Sequence, residues 1–177
     1  MHSIFQSAYG LYRFLEVFSK FSVFMSLRYR YGDAADLVAV YQLNRETFPE
    51  SWSLDGLKGA LKGGYELLLC MNGTNLTGYL LSHDVLDEVH IMQVAVAPSY
   101  RRRGIAEQLS RNLLAAKQGM ALLLEVRASN LAAQSLYEKL GFVHAGIRKA
   151  YYVAKDAGEA REDAVLMNYQ RKNPSTS

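Results

Sequence analysis

The sequence is poor in the side chains that form disulfides and metal sites. It has one cysteine, Cys70, among 177 residues, so no disulfide can form within the chain. Cys70 lies in the apolar run 67–71, which indicates a buried small hydrophobe and suits the reducing cytoplasm. The histidines lack the close spacing of a metal-binding pair and are His2, His83, His90 and His144. We therefore predict a cytoplasmic protein without a metal ion.

An excess of one charge and a long uncharged run are also lacking. The 20 basic and 17 acidic residues leave a net charge of +3, and no basic face with interleaved aromatics is present. We therefore expect no nucleic-acid partner. Arg13, Glu16 and Lys20 interrupt the apolar N-terminal segment, which cannot supply the roughly 18 uncharged residues of a transmembrane helix. That segment also lacks the basic start and small-residue cleavage site of a signal peptide.

Length and composition predict one domain with an additional segment at each end. Half of the residues are apolar, which is enough for one well-buried domain and short for two. We assign this domain to residues 25–170, with a helical extension over residues 1–24 and a disordered polar tail over residues 171–177. The stripe of the extension consists of Ile4, Ala8, Leu11, Leu15 and Phe18. It could pack on its own domain, mediate self-association with a second copy, lie on a membrane surface or be a leader without functional consequence.

The pattern of apolar residues predicts about seven strands separated by helices. The strands are expected near residues 26–31, 65–71, 76–83, 89–96, 121–126, 142–152 and 163–169. Asn72 and Gly73 tolerate positive φ and predict a hairpin turn. The fold class is therefore α/β (α+β mixed), a mixed sheet with helices on both faces.

Capping residues and apolar stripes locate the helices between these strands. Asp33 with Asp36, Ser53 and Asn130 are placed to cap three of them. We expect the last helix to carry Tyr137 on its polar side. The buried stripe expected for that helix consists of Leu131, Leu136 and Leu140.

Residues 89–114 combine a strand, a tight loop and a helix that begins at a glycine. Arg101, Arg102 and Arg103 run directly into Gly104, so the free backbone N–H groups of a new helix lie beside three guanidinium groups. This arrangement predicts a site for a pyrophosphate, although a solvated surface corner is an alternative. The motif is neither the G-x-x-x-x-G-K-[ST] phosphate loop nor the G-x-G-x-x-G fingerprint, so a nucleotide triphosphatase or a Rossmann dehydrogenase is not expected.

Two residues have chemistry that their surroundings do not require. Glu125 interrupts the apolar strand 122–126, where a carboxylate needs a partner or a function. It could act as a base, or it could simply pair with Arg127 or Arg148. Tyr137 could donate a proton to a leaving anion, although a tyrosine on a helix is more often a packing residue.

Taken together, six segments closely resemble the GNAT N-acetyltransferases, and within them the bacterial ribosomal-protein-alanine N-acetyltransferases of the RimI type. These segments are Val94-Ala95-Val96, Arg101-Arg-Arg-Gly-Ile-Ala106, Leu124-Glu-Val-Arg-Ala-Ser-Asn130, Leu136-Tyr-Glu-Lys-Leu-Gly-Phe142, Tyr151-Tyr152 and Arg161-Glu-Asp-Ala164. The resemblance covers roughly residues 27–167. It implies a GNAT-like, mostly antiparallel sheet and an enzyme that transfers acetyl from acetyl-CoA to a protein N-terminus, with alanine as the expected first residue and a ribosomal protein as a possible acceptor.

The resemblance also implies roles for individual residues. Glu125 falls at the family's general-base position and Tyr137 at its general-acid position. Contacts with acetyl-CoA would come from Val94, Ala95, Val96, Arg101, Arg102, Arg103, Gly104, Ile105, Ala106 and Asn130. The peptide groove would be formed by Phe48, Trp52, Tyr151 and Tyr152.

Two features depart from the family pattern. Ala106 stands where the loop often has a second glycine, and residues 1–24 have no counterpart in a minimal member. Apart from these departures, three alternatives to N-terminal acetylation stay open. The chain could acetylate internal lysines, acetylate a small amine, or bind acyl-CoA without catalysis as an interaction protein.

Overall fold

The computed structural model describes residues 27–154 and 160–170. The strands are β1 (Leu27–Tyr31), β2 (Tyr65–Asn72), β3 (Asn75–Val85), β4 (Glu88–Val96), β5 (Ala121–Arg127), β6 (Val143–Tyr152) and β7 (Glu162–Tyr169). The α-helices are α1 (Leu37–Thr47), α2 (Leu54–Lys62), α3 (Ile105–Ala116) and α4 (Leu131–Lys139). The predicted N-terminal helix and C-terminal tail lie outside the described residues.

All seven strands form one sheet in the order β1-β2-β3-β4-β5-β7-β6. Every neighbouring pair is antiparallel except β4 and β5, which are parallel. Helix α3 provides the crossover that this parallel pair requires. The predicted mixed, mostly antiparallel sheet is confirmed.

Helices cover both faces of the sheet, as the sequence predicted. Side chains of β2 alternate between two cores because successive residues of a strand point to opposite faces. Leu67 and Leu69 pack with α1 and α2, whereas Leu68 and Cys70 pack with α3 and α4. Cys70 is fully buried, so its predicted role as a small hydrophobe is confirmed.

The predicted caps and the hairpin are found at their expected positions. Asp33 and Asp36 form a reciprocal capping box on a 3-10 turn that leads into α1. Ser53 accepts a hydrogen bond from the Gly56 N–H at the start of α2. Asn130 accepts one from the Ala133 N–H at the start of α4. Asn72 pairs with Asn75 across the β2–β3 turn.

The predicted orientation of α4 is wrong for Leu131 and Tyr137, whereas Leu136 and Leu140 pack in the core as predicted. Leu131 is 68% exposed, whereas Tyr137 is buried rather than on a polar side. Gln134 also faces inward, where its Nε2 donates to the carbonyl oxygens of Arg127 and Ala128. Because a polar residue takes a buried position to satisfy the chain that follows β5, the leucines alone do not define the inner face of α4.

Candidate active site

A cleft opens where β4 and β5 separate. The two strands pair only from Glu88 with Ala121 to Ile91 with Leu124, although both continue beyond that point. Met92 is the additional residue of a bulge, since Leu81 pairs with Gln93 and Ser82 with Ile91. The separated strands, α4, β6 and the 48–52 loop enclose a cleft of about 1080 Å³.

The predicted phosphate loop is at the N-terminus of α3. Gly104 has φ 75°, and a Cβ on it would meet no heavy atom within 4 Å. The first hydrogen bond of α3 runs from the Gln108 N–H to the Gly104 carbonyl oxygen, so the N–H groups of Ile105 and Ala106 precede the helical ladder. Partial positive charge and open space are therefore present together, as a phosphate group requires.

The three loop arginines are placed differently from one another. Arg101 lines the cleft, and its Nε donates to the carbonyl oxygen of Val96 at 3.2 Å. Arg102 has φ 60°, a left-handed conformation unusual for arginine. The guanidinium of Arg103 lies 5.1 Å from the centre of the Tyr100 ring. Arg101 and Arg103 thus have partners within the protein as well as donors for an anion.

Of the three residues of β4 predicted to contact the cofactor, two present their side chains to the cleft and one can offer only its backbone. Val94 and Val96 line the cleft, whereas the side chain of Ala95 is buried in the core beneath α1 and α2. Ala95 can therefore meet a ligand only through its backbone. Asn130 also lines the cleft, at the start of α4.

Glu125 lies in the cleft with its side chain 26% exposed. Its Oε1 is 3.0 Å from Nη1 of Arg148, which is one of the two pairings that the sequence suggested. Arg127, the other candidate, pairs instead with Glu50 and Glu162. Glu125 is therefore paired with Arg148, and its side chain still lines the cleft.

Both adjacent tyrosines of β6 line the cleft, although neighbouring side chains of a regular strand point to opposite faces. The strand is irregular between Arg148 and Tyr152, where Ala150 has φ 49°. Two effects raise the pKa of Tyr151, the hydrogen bond to Glu125, which is the larger, and burial. The Tyr152 hydroxyl donates to the Glu125 carbonyl oxygen at 3.1 Å, and burial raises the pKa of Tyr152 to about 12.

The Arg161-Glu-Asp-Ala164 segment holds this irregular part of β6. Arg161 donates to the carbonyl oxygens of Ala150 and Tyr151. Asp163 accepts a hydrogen bond of 2.9 Å from the Ala150 N–H. These contacts stabilise the turn that brings Tyr151 and Tyr152 to the same side.

Tyr137 lines the cleft on the side of α4. Its ring packs edge-on against Phe142, with 5.4 Å between ring centres. Burial raises the pKa of Tyr137 well above its usual value, and the nearby Tyr152 makes a smaller contribution in the same direction. The phenol is therefore neutral at physiological pH and keeps a proton to donate.

The 48–52 loop forms another wall of the cleft, which both Phe48 and Trp52 line. The Trp52 N–H donates to Oδ1 of Asn44 at 2.8 Å. Nδ2 of Asn44 in turn donates to the Tyr79 hydroxyl at 2.6 Å and to Gln93 Oε1 at 2.7 Å. Sequence reasoning missed Asn44, whose only signal was a polar residue on the apolar side of a helix.

Glu50 joins this loop to the end of β6. Its Oε1 accepts hydrogen bonds from Arg127 Nη2 at 2.9 Å and from the Val153 N–H at 2.8 Å. Arg127 Nη1 also donates to Glu162 at 3.0 Å, and the guanidinium lies 4.4 Å from the centre of the Tyr152 ring. The two walls predicted to hold a peptide are therefore connected, through residues that sequence reasoning did not select.

Among residues 27–154 and 160–170, no group of three or more His, Cys, Asp or Glu is placed to hold a metal ion. No helix of this described part is long and apolar enough to cross a membrane.

Residues 37–142 match the model of the acetyltransferase (GNAT) family. The chain is 37% identical over 139 residues to the [ribosomal protein bS18]-alanine N-acetyltransferase of Escherichia coli K12, covering 76% of this chain and 91% of that protein. The enzyme of the same name from Haemophilus influenzae is 34% identical over 138 residues, which cover 76% of this chain and 92% of that protein.

Solved structures show the same fold. The ribosomal-protein-S18-alanine N-acetyltransferase from Escherichia coli superimposes with a TM-score of 0.76 and 30% identity, covering 85% of this chain and 99% of that one. Arabidopsis thaliana NAA60 in complex with acetyl-CoA gives a TM-score of 0.74 at 21% identity, covering 82% and 98% of the two chains.

Proposed function

The chain belongs to the GNAT family of acetyltransferases, and we propose that it transfers the acetyl group of acetyl-CoA to the N-terminal α-amine of a protein beginning with alanine. The observation that carries this proposal is one cleft lined by a carboxylate, a buried phenol and two adjacent tyrosines, which reaches Arg101 at the start of the loop before α3. The relatives named above are alanine N-acetyltransferases of ribosomal protein bS18, so we propose a ribosomal protein as the acceptor.

Acetyl-CoA fits the loop end of the cleft. Its pyrophosphate would meet the N–H groups of residues 102–106, where Gly104 leaves open space and the positive end of the α3 dipole favours an anion. The separated edge of β4 at residues 94–96 offers backbone groups to the pantetheine arm, because β5 does not pair with it there. When bound, acetyl-CoA supplies the thioester that the amine attacks.

The chemistry proposed for the centre of the cleft needs one base and one acid. Glu125 accepts the proton that the amine loses as it attacks the thioester carbonyl, either directly or through a water molecule. Tyr137 donates its proton to the departing sulfur. One N–H proton is lost and one S–H proton is gained, so the enzyme returns to its starting state once Glu125 releases its proton and Tyr137 regains one. Burial holds the Tyr137 proton in place and also makes a thiolate formed beside it more basic.

Selectivity for an α-amine follows in part from proton equilibria. Near pH 7.5 an α-amine with a pKa of about 7.7 to 8.0 is roughly one third neutral, whereas lysine, with a pKa of about 10.4, is neutral in about one molecule per thousand. A single carboxylate base therefore serves an α-amine more readily than a lysine. Tyr151 and Tyr152 are placed to hold the short backbone next to that amine, since both line the cleft beside Glu125.

Thiol release from acetyl-CoA with two peptides tests the proposal. We expect acetylation of a peptide that begins with a free alanine. The same peptide with a blocked N-terminus and a free internal lysine should lose most of the activity. Equal or faster reaction of the blocked peptide would contradict N-terminal acetylation and favour the lysine alternative. Tight acetyl-CoA binding without thiol release from any amine, small amines included, would favour a non-catalytic binding protein.

A further inference from the structure

We infer that Arg148 is a specificity-determining residue whose guanidinium fills the position beside Glu125 that a cationic acceptor would take. The site therefore admits a neutral amine and disfavours ammonium groups such as lysine side chains. This inference rests on the proposed function, because it concerns the amine that approaches Glu125.

The position of Arg148 is the first observation. Its Nη1 lies 3.0 Å from Glu125 Oε1, and its guanidinium lies 5.0 Å from the centre of the Tyr151 ring. Both residues belong to the same face of the sheet, since Arg148 pairs with Ala164 and Glu125 with Leu166 on the intervening strand β7. The guanidinium therefore stands at the carboxylate that an acceptor nitrogen has to approach.

The charges lining the cleft are the second observation. Its titratable lining, apart from tyrosines, consists of the carboxylates Glu50 and Glu125, the guanidinium groups of Arg101, Arg127 and Arg148, and the imidazole of His90. Glu50 is paired with Arg127 and Glu125 with Arg148. An incoming ammonium therefore finds no carboxylate that lacks a counter-charge, and beside Glu125 it would stand next to a guanidinium.

A neutral amine does not meet this obstacle. A carboxylate has about four lone-pair sites, so Glu125 can accept an N–H from the amine while Oε1 stays with Arg148. Arg148 therefore need not leave for the reaction to proceed. What it prevents is unproductive occupation of the site by protonated amines, which are the great majority of lysine side chains at neutral pH.

The test uses an unreactive cation as a probe. We compare wild type, Arg148→Gln and Arg148→Lys for inhibition by a peptide whose N-terminal alanine is trimethylated and permanently charged. The inhibition constant should fall about tenfold in Arg148→Gln, as expected for like charges about 5 Å apart after solvent screening. It should stay near the wild-type value in Arg148→Lys, because the positive charge is retained there.

Steady-state kinetics with the free alanine peptide give a second readout. Unproductive binding of the ammonium form lowers kcat and KM together, so both should fall in Arg148→Gln at pH 7 while kcat/KM changes by less than about threefold. A purely structural role for Arg148 would not produce this combination.

Two outcomes would overturn the inference. One is an unchanged inhibition constant in Arg148→Gln, and the other is an equal fall in Arg148→Lys. Failure of wild type to acetylate the free alanine peptide would instead contradict the proposed function, so the two failures can be distinguished.

Discussion

Asn44 and Gln93 are joined by a hydrogen bond of 2.7 Å between Nδ2 and Oε1, which fixes helix α1 to the bulged part of β4. Asn44 is fully buried and also accepts the Trp52 N–H at 2.8 Å. One side chain therefore determines the distance between the strand that lines the cleft and the loop proposed to hold the peptide.

Replacement of Asn44 by alanine should lower the free energy of unfolding by about 2 to 3 kcal/mol, because the Trp52 N–H and the Tyr79 hydroxyl lose a buried partner. The KM for the acceptor peptide should rise severalfold, with little change in acetyl-CoA affinity. Urea denaturation, kinetics and calorimetry measure these three quantities. Gln108→Ala is the matched control, since the side chain of Gln108 donates to Asn112 on the exposed side of α3. An unchanged acceptor KM in a folded Asn44→Ala would separate Asn44 from the peptide groove.

The proposed base and acid make a paired prediction. Glu125→Gln should lower kcat by about 10² or more, and Tyr137→Phe should lower it with little change in the Kd for acetyl-CoA. Tyr169→Phe is the control for Tyr137, because both rings contact Phe142 but Tyr169 does not line the cleft. Wild-type turnover in folded Glu125→Gln and Tyr137→Phe would leave both residues with only structural roles.

Elements defined by local patterns could be predicted from the sequence, whereas residues defined by distant partners could not. The strand carrying Glu125 and the capped starts of the helices follow from neighbours within a few positions. Glu50 acquires its role through Arg127 and Val153, 77 and 103 positions away, and Asn44 acquires its role through Gln93, 49 positions away. No spacing rule in one sequence reveals such pairs.

The error at α4 has a different origin, because the partners that explain it lie only six and seven positions away. The carbonyl oxygens of Arg127 and Ala128 need a donor, and Gln134 supplies it from the buried side of the helix. Assigning the inner face by leucine positions therefore placed Tyr137 outside. The identity of Tyr137 as a candidate came instead from the family resemblance.

The phosphate loop is tested by Gly104→Glu, which adds a carboxylate where the pyrophosphate is proposed to bind. We expect the affinity for acetyl-CoA measured by calorimetry to fall by at least about 100-fold, from like-charge repulsion and from strain at φ 75°. Gly119→Glu is the control because Gly119 has φ 90°, also has open space for a Cβ and lies just past the other end of α3. Undiminished affinity in a folded Gly104→Glu would place the cofactor elsewhere.

Deletion of residues 1–24 separates the proposed extension from the catalytic domain. Every residue proposed for catalysis or for binding lies between Phe48 and Tyr152, so kcat and the Kd for acetyl-CoA should stay within about twofold of the full chain. The deletion should alter solubility, thermal stability or assembly, measured by thermal unfolding and light scattering. A folded deletion variant that binds acetyl-CoA normally but has lost turnover would show that the segment contributes to the site.

Stability at the entry to α1 should depend on pH through Asp36. Arg30 donates to Asp36 at 2.8 and 2.6 Å, and this hydrogen bonding is the largest cause that lowers the pKa of Asp36. Because the folded-state pKa lies below the unfolded value of about 3.9, the carboxylate contributes stability above that value and loses it as the pH falls through the folded-state pKa. Asp36→Asn should therefore cost about 1 kcal/mol at pH 7 and progressively less below about pH 4.

Urea denaturation at pH 7 and pH 3 measures this difference. Arg30→Gln should reproduce it, and the double variant should cost less than the sum of the two single changes, because the same pair is broken in each. Asp55→Asn is the control, since the Asp55 to Lys58 pair is exposed and should change the free energy of unfolding by no more than about 0.5 kcal/mol. A cost for Asp36→Asn that is the same at both pH values would contradict a contribution from the charge of Asp36. A cost near zero at both values would show that Asp36 acts through its hydrogen bond to the Asp33 N–H, which asparagine can also accept.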